Sequence, residues 1–238
     1  MLKILLLIIV LVLVLYLIKL SSENFVDNKL IDYYVIHMST NKKRSDNISL
    51  MSNKISNRIN IFEAIKGSEI NNILDYDANI NFNFRYNHIN EVGCYLSHLL
   101  LIKSLINSNY KYTIIFEDDF NIKINNFENE VNNILSNIND FDILYLGNLN
   151  DNHGNNYKNN IYYINKNTHL WGTHAYMVNN KNAFKIYNNL LNLDLAIDNK
   201  YKYLIDNNFL NGYVINPTLV SIINDESSIQ ANTFIYNT

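Results

Sequence analysis

Two short apolar runs constrain the fold of this chain more than any other feature. Residues 111–116 (KYTIIF) and 142–146 (DILYL) are rich in β-branched and aromatic side chains, and Gly147 stops the second run. Runs of this composition and length are typical of buried strands. They therefore predict two central strands of a sheet.

Helical patterns lie between the predicted strands. In residues 91–108, apolar side chains recur at spacings of three and four, which predicts a helix with one apolar face. Further strands are predicted at 32–38, 60–64, 161–164, 175–178, 213–215 and 219–222, and further helices at 127–138, 181–191 and 199–207. Strands that alternate with helices indicate an α/β domain with a largely parallel sheet.

The N-terminal segment is apolar without interruption over residues 4–18, between Lys3 and Lys19. With its flanks the segment spans residues 2–20, which is close to the ~20 residues that cross a bilayer. A cleaved signal peptide is the alternative, but residues 18–22 (IKLSS) are a poor cleavage site. We therefore expect a membrane anchor at 1–20, a stem at 21–31 and a single folded domain at 32–238. The expected topology is single-pass with the domain C-terminal to the anchor, type II.

Charge and cysteine content exclude some classes of protein. The formal net charge is −3 and no dense Lys/Arg block occurs, so we expect no nucleic-acid partner. The chain has one cysteine, Cys94, which excludes an intrachain disulfide and a cysteine-based zinc site.

Three consecutive carboxylates, Glu117, Asp118 and Asp119, follow the first apolar run directly. Three negative charges at one strand end repel one another unless a cation lies among them. Mg²⁺ and Mn²⁺ prefer carboxylate oxygens and substrate phosphates, and ligands of α/β sheets bind at the carboxyl ends of strands. The triplet thus predicts a Mn²⁺ or Mg²⁺ site, with a solvated acidic turn as the alternative.

The predicted helix before the acidic strand carries Cys94, Ser97 and His98. Cys94 and His98 are four residues apart and share a helix face, so a nucleophilic Cys/His pair is conceivable. A small buried cysteine and a hydrogen-bonding histidine are the simpler interpretation.

Two later segments hold further candidates. The only Trp lies in Trp171-Gly172-Thr173-His174, where an aromatic face would suit a sugar and core packing is the alternative. His174, like His169, is a possible imidazole ligand of a metal. Asp198 follows an apolar pair and is a candidate general base.

Taken in order, these segments resemble glycosyltransferase family 25, which includes lipooligosaccharide and procollagen galactosyltransferases. The matching positions are Tyr34-Val35-Ile36 with Arg44, Val92-Gly93-Cys94 with Ser97-His98, Glu117-Asp118-Asp119, Asp142 with Tyr145-Leu146-Gly147, Trp171-Gly172-Thr173 with Ala175-Tyr176, Asp198, and Pro217 with Leu219-Val220. Two positions depart from the family pattern. Residues 36–39 read IHMS where the family has I-N-L-D, and Ala196 stands in place of a proline.

The resemblance implies a GT-A-like fold with a Rossmann-type sheet and flanking helices. It also implies an inverting transfer of a hexose from a nucleotide sugar, typically UDP-galactose, to a hydroxyl of a glycan or protein. Lipooligosaccharide-like glycans, collagen hydroxylysine and a surface or virion glycan remain open as acceptors.

The resemblance also suggests a role for each candidate residue. Asp119 would bind Mn²⁺ or Mg²⁺, with Glu117 contacting the metal or the donor and Asp198 acting as the base. The remaining candidates are expected to bind the donor (Arg44, Asp118, Trp171, Gly172, Thr173) or to support the site (Ser97, His98, His174).

Two other classes are compatible with parts of this pattern. An inactive, membrane-tethered carbohydrate-binding module would share the fold, but all its carboxylates would be retained without use. A metal-dependent phosphotransferase or nuclease also uses clustered carboxylates, but the chain lacks a glycine-rich phosphate loop and basic clusters.

Overall fold

The computed structural model describes residues 30–56, 58–83, 89–149, 154–168 and 170–223. The elements are β1 (Ile31–His37), α1 (Lys42–Ser52), β2 (Asn60–Glu63), β3 (Asn81–Phe82), α2 (Ile89–Ser104), β4 (Tyr112–Glu117), β5 (Phe120–Ile122), α3 (Phe127–Asn137), β6 (Ile143–Tyr145), β7 (Asn156–Lys158), β8 (Ile161–Tyr163), β9 (Ala175–Asn179), α4 (Ala183–Leu190), β10 (Asn192–Leu193), α5 (Ile197–Asp206), β11 (Gly212–Ile215) and β12 (Val220–Ile222). The predicted anchor and most of the predicted stem lie outside the described residues.

An eight-stranded sheet forms the centre, in the order β2-β1-β4-β9-β6-β11-β8-β7. β2, β1 and β4 pair in parallel, as do β6 and β11. β9 runs antiparallel between β4 and β6, and β8 and β7 pair antiparallel at the far edge. The α/β class is confirmed, and the sheet is mixed: six of its eight strands run in one direction, whereas β9 and β8 run the opposite way. An apolar run predicts that a strand is buried, but it does not predict the direction in which the strand runs.

The core lies on both faces of this sheet. In β4, Ile114 and Phe116 pack on one side with residues of α1 and α3, while Ile115 packs on the other side with residues of α2, α4 and α5. Side chains alternate between the faces of a strand, so an entirely apolar strand is one covered on both sides. This three-layer packing explains the two runs from which the fold was predicted.

Helix α2 is the central helix of one layer. With its 3₁₀ extension it spans Ile89–Asn107, and within the described part of the chain it is the one helix long and apolar enough to cross a membrane. More than half of that window, 56%, is buried inside the domain. Core packing therefore accounts for its apolar composition.

The strand ends that carry the candidate residues meet at one edge of the sheet. Ile36 of β1 pairs with Glu117 of β4, which brings His37 beside Asp118. The N–H of Glu117 donates to the carbonyl of His174, just before β9, at 3.1 Å. The register thus places the end of β1, the acidic triplet and the segment before β9 side by side.

Candidate active site

The acidic triplet is mostly enclosed by neighbouring side chains. The side chains of Glu117, Asp118 and Asp119 are 24%, 21% and 23% exposed. Glu117 ends β4, and the two aspartates form the turn that leads into β5. A solvated acidic turn therefore does not describe these carboxylates.

Asp118 is held by groups from β1 and α1. Its Oδ2 lies 2.8 Å from His37 Nδ1, and His37 Nε2 lies 2.9 Å from the Ser45 hydroxyl. The Asn47 amide donates to the carbonyl of Asp118 at 3.1 Å and to that of Phe120 at 2.9 Å. The turn and the Asp118 carboxylate are therefore both fixed by protein groups.

Asp119 has one oxygen paired with a cation and one oxygen that is not. Its Oδ2 lies 3.4 Å from the buried Arg44 guanidinium, which is 3.8 Å from Asp118 Oδ1. Its Oδ1 is buried and has no hydrogen-bond partner among the described residues. Buried polar atoms are normally satisfied, so this oxygen marks a place where a further ligand fits.

Glu117 is stabilised as an anion although it is enclosed. Burial raises the pKa of its carboxyl, but His98 and the Thr173 hydroxyl, which donates to Oε1, outweigh burial and lower the pKa below 4.5. His98 Nε2 lies 3.3 Å from Glu117 Oε1 without forming a well-aligned hydrogen bond. The two atoms therefore face each other at short range.

The other predicted residues of α2 divide into two roles. His98 faces the site, and its Nδ1 lies 2.8 Å from the Tyr176 hydroxyl. Ser97 instead joins backbone segments, because its hydroxyl donates to the Gly93 carbonyl and accepts from the Ile65 N–H, both at 2.8 Å. Ser97 thus supports the site by holding α2 against residues 64–67.

Asp198 lies in the first turn of α5, where its carboxylate accepts two backbone N–H groups. Oδ1 accepts from Asn199 at 2.7 Å and Oδ2 from Gly172 at 3.4 Å. Gly172 has φ +81°, a conformation that favours glycine. The glycine of the Trp171-Gly172-Thr173 segment therefore aims an N–H at the predicted base.

Trp171 and His174 flank this glycine and differ in environment. Trp171 is 57% exposed, so the alternative of core packing is wrong for it. His174 is buried, and burial lowers the pKa of its imidazole despite the opposing charge of Glu117. A Cβ on Gly147 would lie 2.2 Å from His174 Nε2, so Gly147 leaves room for the ring. His169 lies outside the described residues.

A cavity of about 310 Å³ opens beside these groups. Glu117 and Asp118 form part of its wall, together with His98 and Cys94 of α2. The segment 64–68 forms another part of the wall, and the sequence did not single it out because it is short and has no periodic pattern. The volume lies within the range of small-molecule sites.

The structure brings together nearly all the predicted site residues. The contacts above link Arg44, the acidic triplet, His98, Thr173 and Asp198, whereas Trp171 is exposed. His37 was missed as a site residue, although its departure from the family pattern was visible in the sequence. Its contact with Asp118 depends on the register of β1 and β4, which no local pattern encodes.

The fold and the site define an α/β enzyme whose acidic centre lies at the carboxyl ends of β1 and β4, beside a cavity. Residues 30–201 match the family model described as Glycosyltransferase family 25 (LPS biosynthesis protein). The match covers well over half of the chain and every candidate site residue, so the chain belongs to glycosyltransferase family 25 and the protein is a glycosyltransferase. The comparison with curated proteins gave no match.

Proposed function

We propose that the protein is a metal-dependent, inverting hexosyltransferase that takes a hexose, in the first instance galactose, from a UDP-sugar to a hydroxyl acceptor. The observation that carries the proposal is the buried Asp119 Oδ1, which has no hydrogen-bond partner in the described part of the chain. It lies in a carboxylate cluster with a guanidinium beside it, as a site for a cation and a diphosphate requires.

Oxygen ligands suit a hard cation, and Asp119 supplies one oxygen that has no hydrogen-bond partner among the residues that the structure describes. Asp119 would hold Mn²⁺ or Mg²⁺ together with Glu117. Asp118 would not, because His37 and Arg44 hold its two oxygens. The ion would act as a Lewis acid toward the departing diphosphate.

Arg44 would bind the donor phosphates. Its guanidinium lies between Asp118 and Asp119. A planar guanidinium binds two phosphate oxygens at once, which fixes the diphosphate in position. The hexose would then lie near Gly172 and Thr173, with the exposed face of Trp171 packing on sugar C–H groups.

Asp198 would act as the general base. As the acceptor oxygen attacks the anomeric carbon, one Asp198 oxygen takes the hydroxyl proton and the bond from that carbon to the diphosphate breaks. UDP leaves and the configuration inverts, because a single displacement occurs. The two N–H groups from Gly172 and Asn199 hold the carboxylate in position.

Membrane attachment through residues 1–20 belongs to the same proposal. It is supported by the apolar run at 4–18.

UDP release tests the function directly. We expect release from UDP-galactose, with UDP-glucose and UDP-N-acetylglucosamine compared, in the presence of Mn²⁺ and not with EDTA. Asp119→Asn should lower kcat/KM by about 100-fold or more, equivalent to about 2.7 kcal/mol of transition-state stabilisation.

Asp140→Asn is the matched control for charge, since that side chain is 85% exposed, and it should leave the rate unchanged. Wild-type turnover in Asp119→Asn would rule out the metal role. Protection of the protein by UDP and Mn²⁺, with no transfer from any donor, would favour the inactive carbohydrate-binding module.

A further inference from the structure

We propose that Cys94, His98 and Glu117 form a second cation site, selective for Zn²⁺, at the wall of the cavity. We assign this cavity to the nucleotide-sugar donor, so an ion held at its wall would block donor binding and Zn²⁺ would inhibit the enzyme. The effect on transfer rests on the proposed function, whereas the binding of Zn²⁺ does not.

The distances fit a zinc site. One ligand atom from each of the three residues, the thiol sulfur, an imidazole nitrogen and a carboxylate oxygen, lies within 4.8 Å of the other two. His98 Nε2 and Glu117 Oε1 are 3.3 Å apart. Tetrahedral Zn²⁺ with bonds of about 2.0–2.3 Å separates its ligand atoms by about 3.3–3.6 Å. Small side-chain adjustments by Cys94 would complete the set.

An unsatisfied nitrogen points into this group. His98 is fully buried, and its Nε2 has no hydrogen-bond partner among the residues described. In the tautomer that donates Nδ1–H to the Tyr176 hydroxyl, Nε2 carries a lone pair that faces a carboxylate oxygen. Both atoms are electron-pair donors, so one cation can bind the two together.

Neighbouring hydroxyls hold two of the ligands in place. Tyr176 binds the other ring nitrogen of His98 at 2.8 Å, and the Tyr201 hydroxyl lies 3.4 Å from that of Tyr176. The Thr173 hydroxyl donates to Glu117 Oε1. Partners of this kind orient metal ligands and tune the affinity of the site.

The donor set selects the metal. A thiolate with an imidazole favours Zn²⁺, whereas Mg²⁺ and Mn²⁺ favour oxygen ligands alone. One cysteine excludes a zinc site built on cysteines but not this mixed one. The three residues line the cavity, so the fourth position of a bound ion would face the space that the donor needs.

Cobalt replaces zinc in such sites and absorbs in the near ultraviolet when bound to a thiolate. We would titrate the metal-free full chain with Co²⁺ and then displace Co²⁺ with Zn²⁺. Cys94 is the only cysteine, so a thiolate band reports this residue alone. The wild type and Asp119→Asn should show the band with equal affinity, and Cys94→Ala should show none.

Two further variants test the other ligands. His98→Gln should weaken Co²⁺ binding at least 10-fold, and Tyr176→Phe about 10-fold or more through loss of the outer partner. Circular dichroism checks that each variant is folded. If His98→Gln does not fold, the loss of the band in Cys94→Ala still tests the site. A folded wild type without the band, or a band unaffected by His98→Gln, would overturn the site.

Inhibition is measured separately, as the Zn²⁺ concentration that halves Mn²⁺-dependent UDP release. The rate of each variant is compared with its own rate without zinc. Cys94→Ala should raise that concentration at least 10-fold. An unchanged value would refute the inhibitory role. If no donor supports transfer, the proposed function fails while the cobalt titration still decides whether the site exists.

Discussion

At the residue scale, the contact of His37 with Asp118 explains why we propose Asp119, and not Asp118, as a metal ligand. His37 stands where the family pattern has asparagine and is 2.8 Å from Asp118 Oδ2. The oxygens of Asp118 are held by His37 and Arg44, whereas Asp119 Oδ1 has no hydrogen-bond partner in the described ranges. His37 is therefore a positioning residue for the site.

Replacing His37 tests this role. His37→Ala removes a hydrogen bond to a carboxylate, worth roughly 1.5–3 kcal/mol, and we expect the donor KM to rise about 10-fold with a smaller change in kcat. His37→Asn restores an amide donor and should recover most of the loss. Steady-state kinetics with UDP release measures both parameters.

Ser45→Ala is the control for the second contact of His37. It removes only the hydroxyl at 2.9 Å and should change KM by a few-fold at most, about 1 kcal/mol. Equal KM values for His37→Ala and the wild type would show that Asp118 is positioned without His37.

At the element scale, α2 is joined to the cavity wall through a close backbone contact. A Cβ on Gly93 would lie 2.5 Å from the Ile65 carbonyl oxygen and 2.8 Å from the Gly67 N–H nitrogen. Ser97, one turn later, bonds the Ile65 N–H. The glycine of the G-C-x-x-S-H pattern is thus explained by close approach of backbone to backbone.

Gly93→Ala distinguishes packing from helix propensity by the sign of its effect. Propensity alone would stabilise the helix by up to ~1 kcal/mol, whereas overlap with backbone atoms costs about 1–3 kcal/mol. We expect a net loss in the free energy of unfolding and a higher donor KM, because the wall at 64–68 must move. Urea unfolding that shows a more stable variant would contradict the contact.

A second link between elements is the buried carboxylate of Asp77. Its Oδ2 accepts from Lys103 of α2 at 2.9 Å and from Tyr187 of α4 at 2.6 Å. Burial raises the pKa of this carboxyl, but Tyr187, the Asn79 N–H and Lys103 together lower it to about 2. Asp77 therefore joins a loop to two helices of one layer.

Asp77→Asn should destabilise the fold by about 2 kcal/mol at pH 7, as expected for a carboxyl whose pKa falls from 3.8 to about 2 on folding. The stabilisation is complete above pH 3.8 and is lost as pH falls through about 2, so the two proteins should converge in acid. Asp75→Asn, at an exposed position of the same loop, should unfold like the wild type. A pH-independent difference in urea midpoints would contradict the charged form as the cause.

At the scale of the whole molecule, the sequence predicted what local patterns encode. The strands β4 and β6 were found because burial on both faces leaves an apolar run, and α2 because its apolar side chains recur with the helical period. The direction of β9 and the short strands β3, β5, β7 and β10 were not found, because pairing partners decide them and no local pattern does.

The candidate site, like the fold, could be predicted only where a pattern along the chain encodes it. The carboxylates and Asp198 were recognised by their order along the chain, which the family pattern fixes. The pairing of His37 with Asp118 and the wall at 64–68 arise only when distant segments meet. The sequence thus predicted which groups carry the chemistry, and the fold shows which groups contact them.

The pH dependence of the stability of the fold follows from side chains that titrate below pH 7 and from others that titrate above it. Burial lowers the pKa of His174 below 6.5. Burial raises the pKa of Glu117, but His98 and Thr173 outweigh it and lower the pKa of Glu117 below 4.5. Like Asp77, both groups bind protons more weakly in the folded chain than in the unfolded chain. Stability therefore rises with pH through these windows.

Tyrosines act in the opposite sense in alkali. Burial first, and then Tyr163 and Tyr157, raise the pKa of Tyr213 to about 12. The unfolded chain loses this proton near pH 10 while the folded chain keeps it, so stability falls as pH rises above 10. The three lowered groups and this tyrosine together predict a stability plateau between pH 6.5 and pH 10.

Urea unfolding across pH checks this profile, with the free energy of unfolding as the measured quantity. We expect it to rise from acid to about pH 6.5, where the unfolded imidazole of His174 loses its proton, and to decline above pH 10. Tyr213→Phe should make the alkaline decline shallower and leave the acid limb unchanged, because it removes one group of the alkaline set only. Asp77→Asn should make the acid limb shallower and leave the alkaline decline unchanged. A stability maximum below pH 5 would mean that the buried imidazole and carboxylates do not control the acid limb, since all three favour the folded state more as they lose protons.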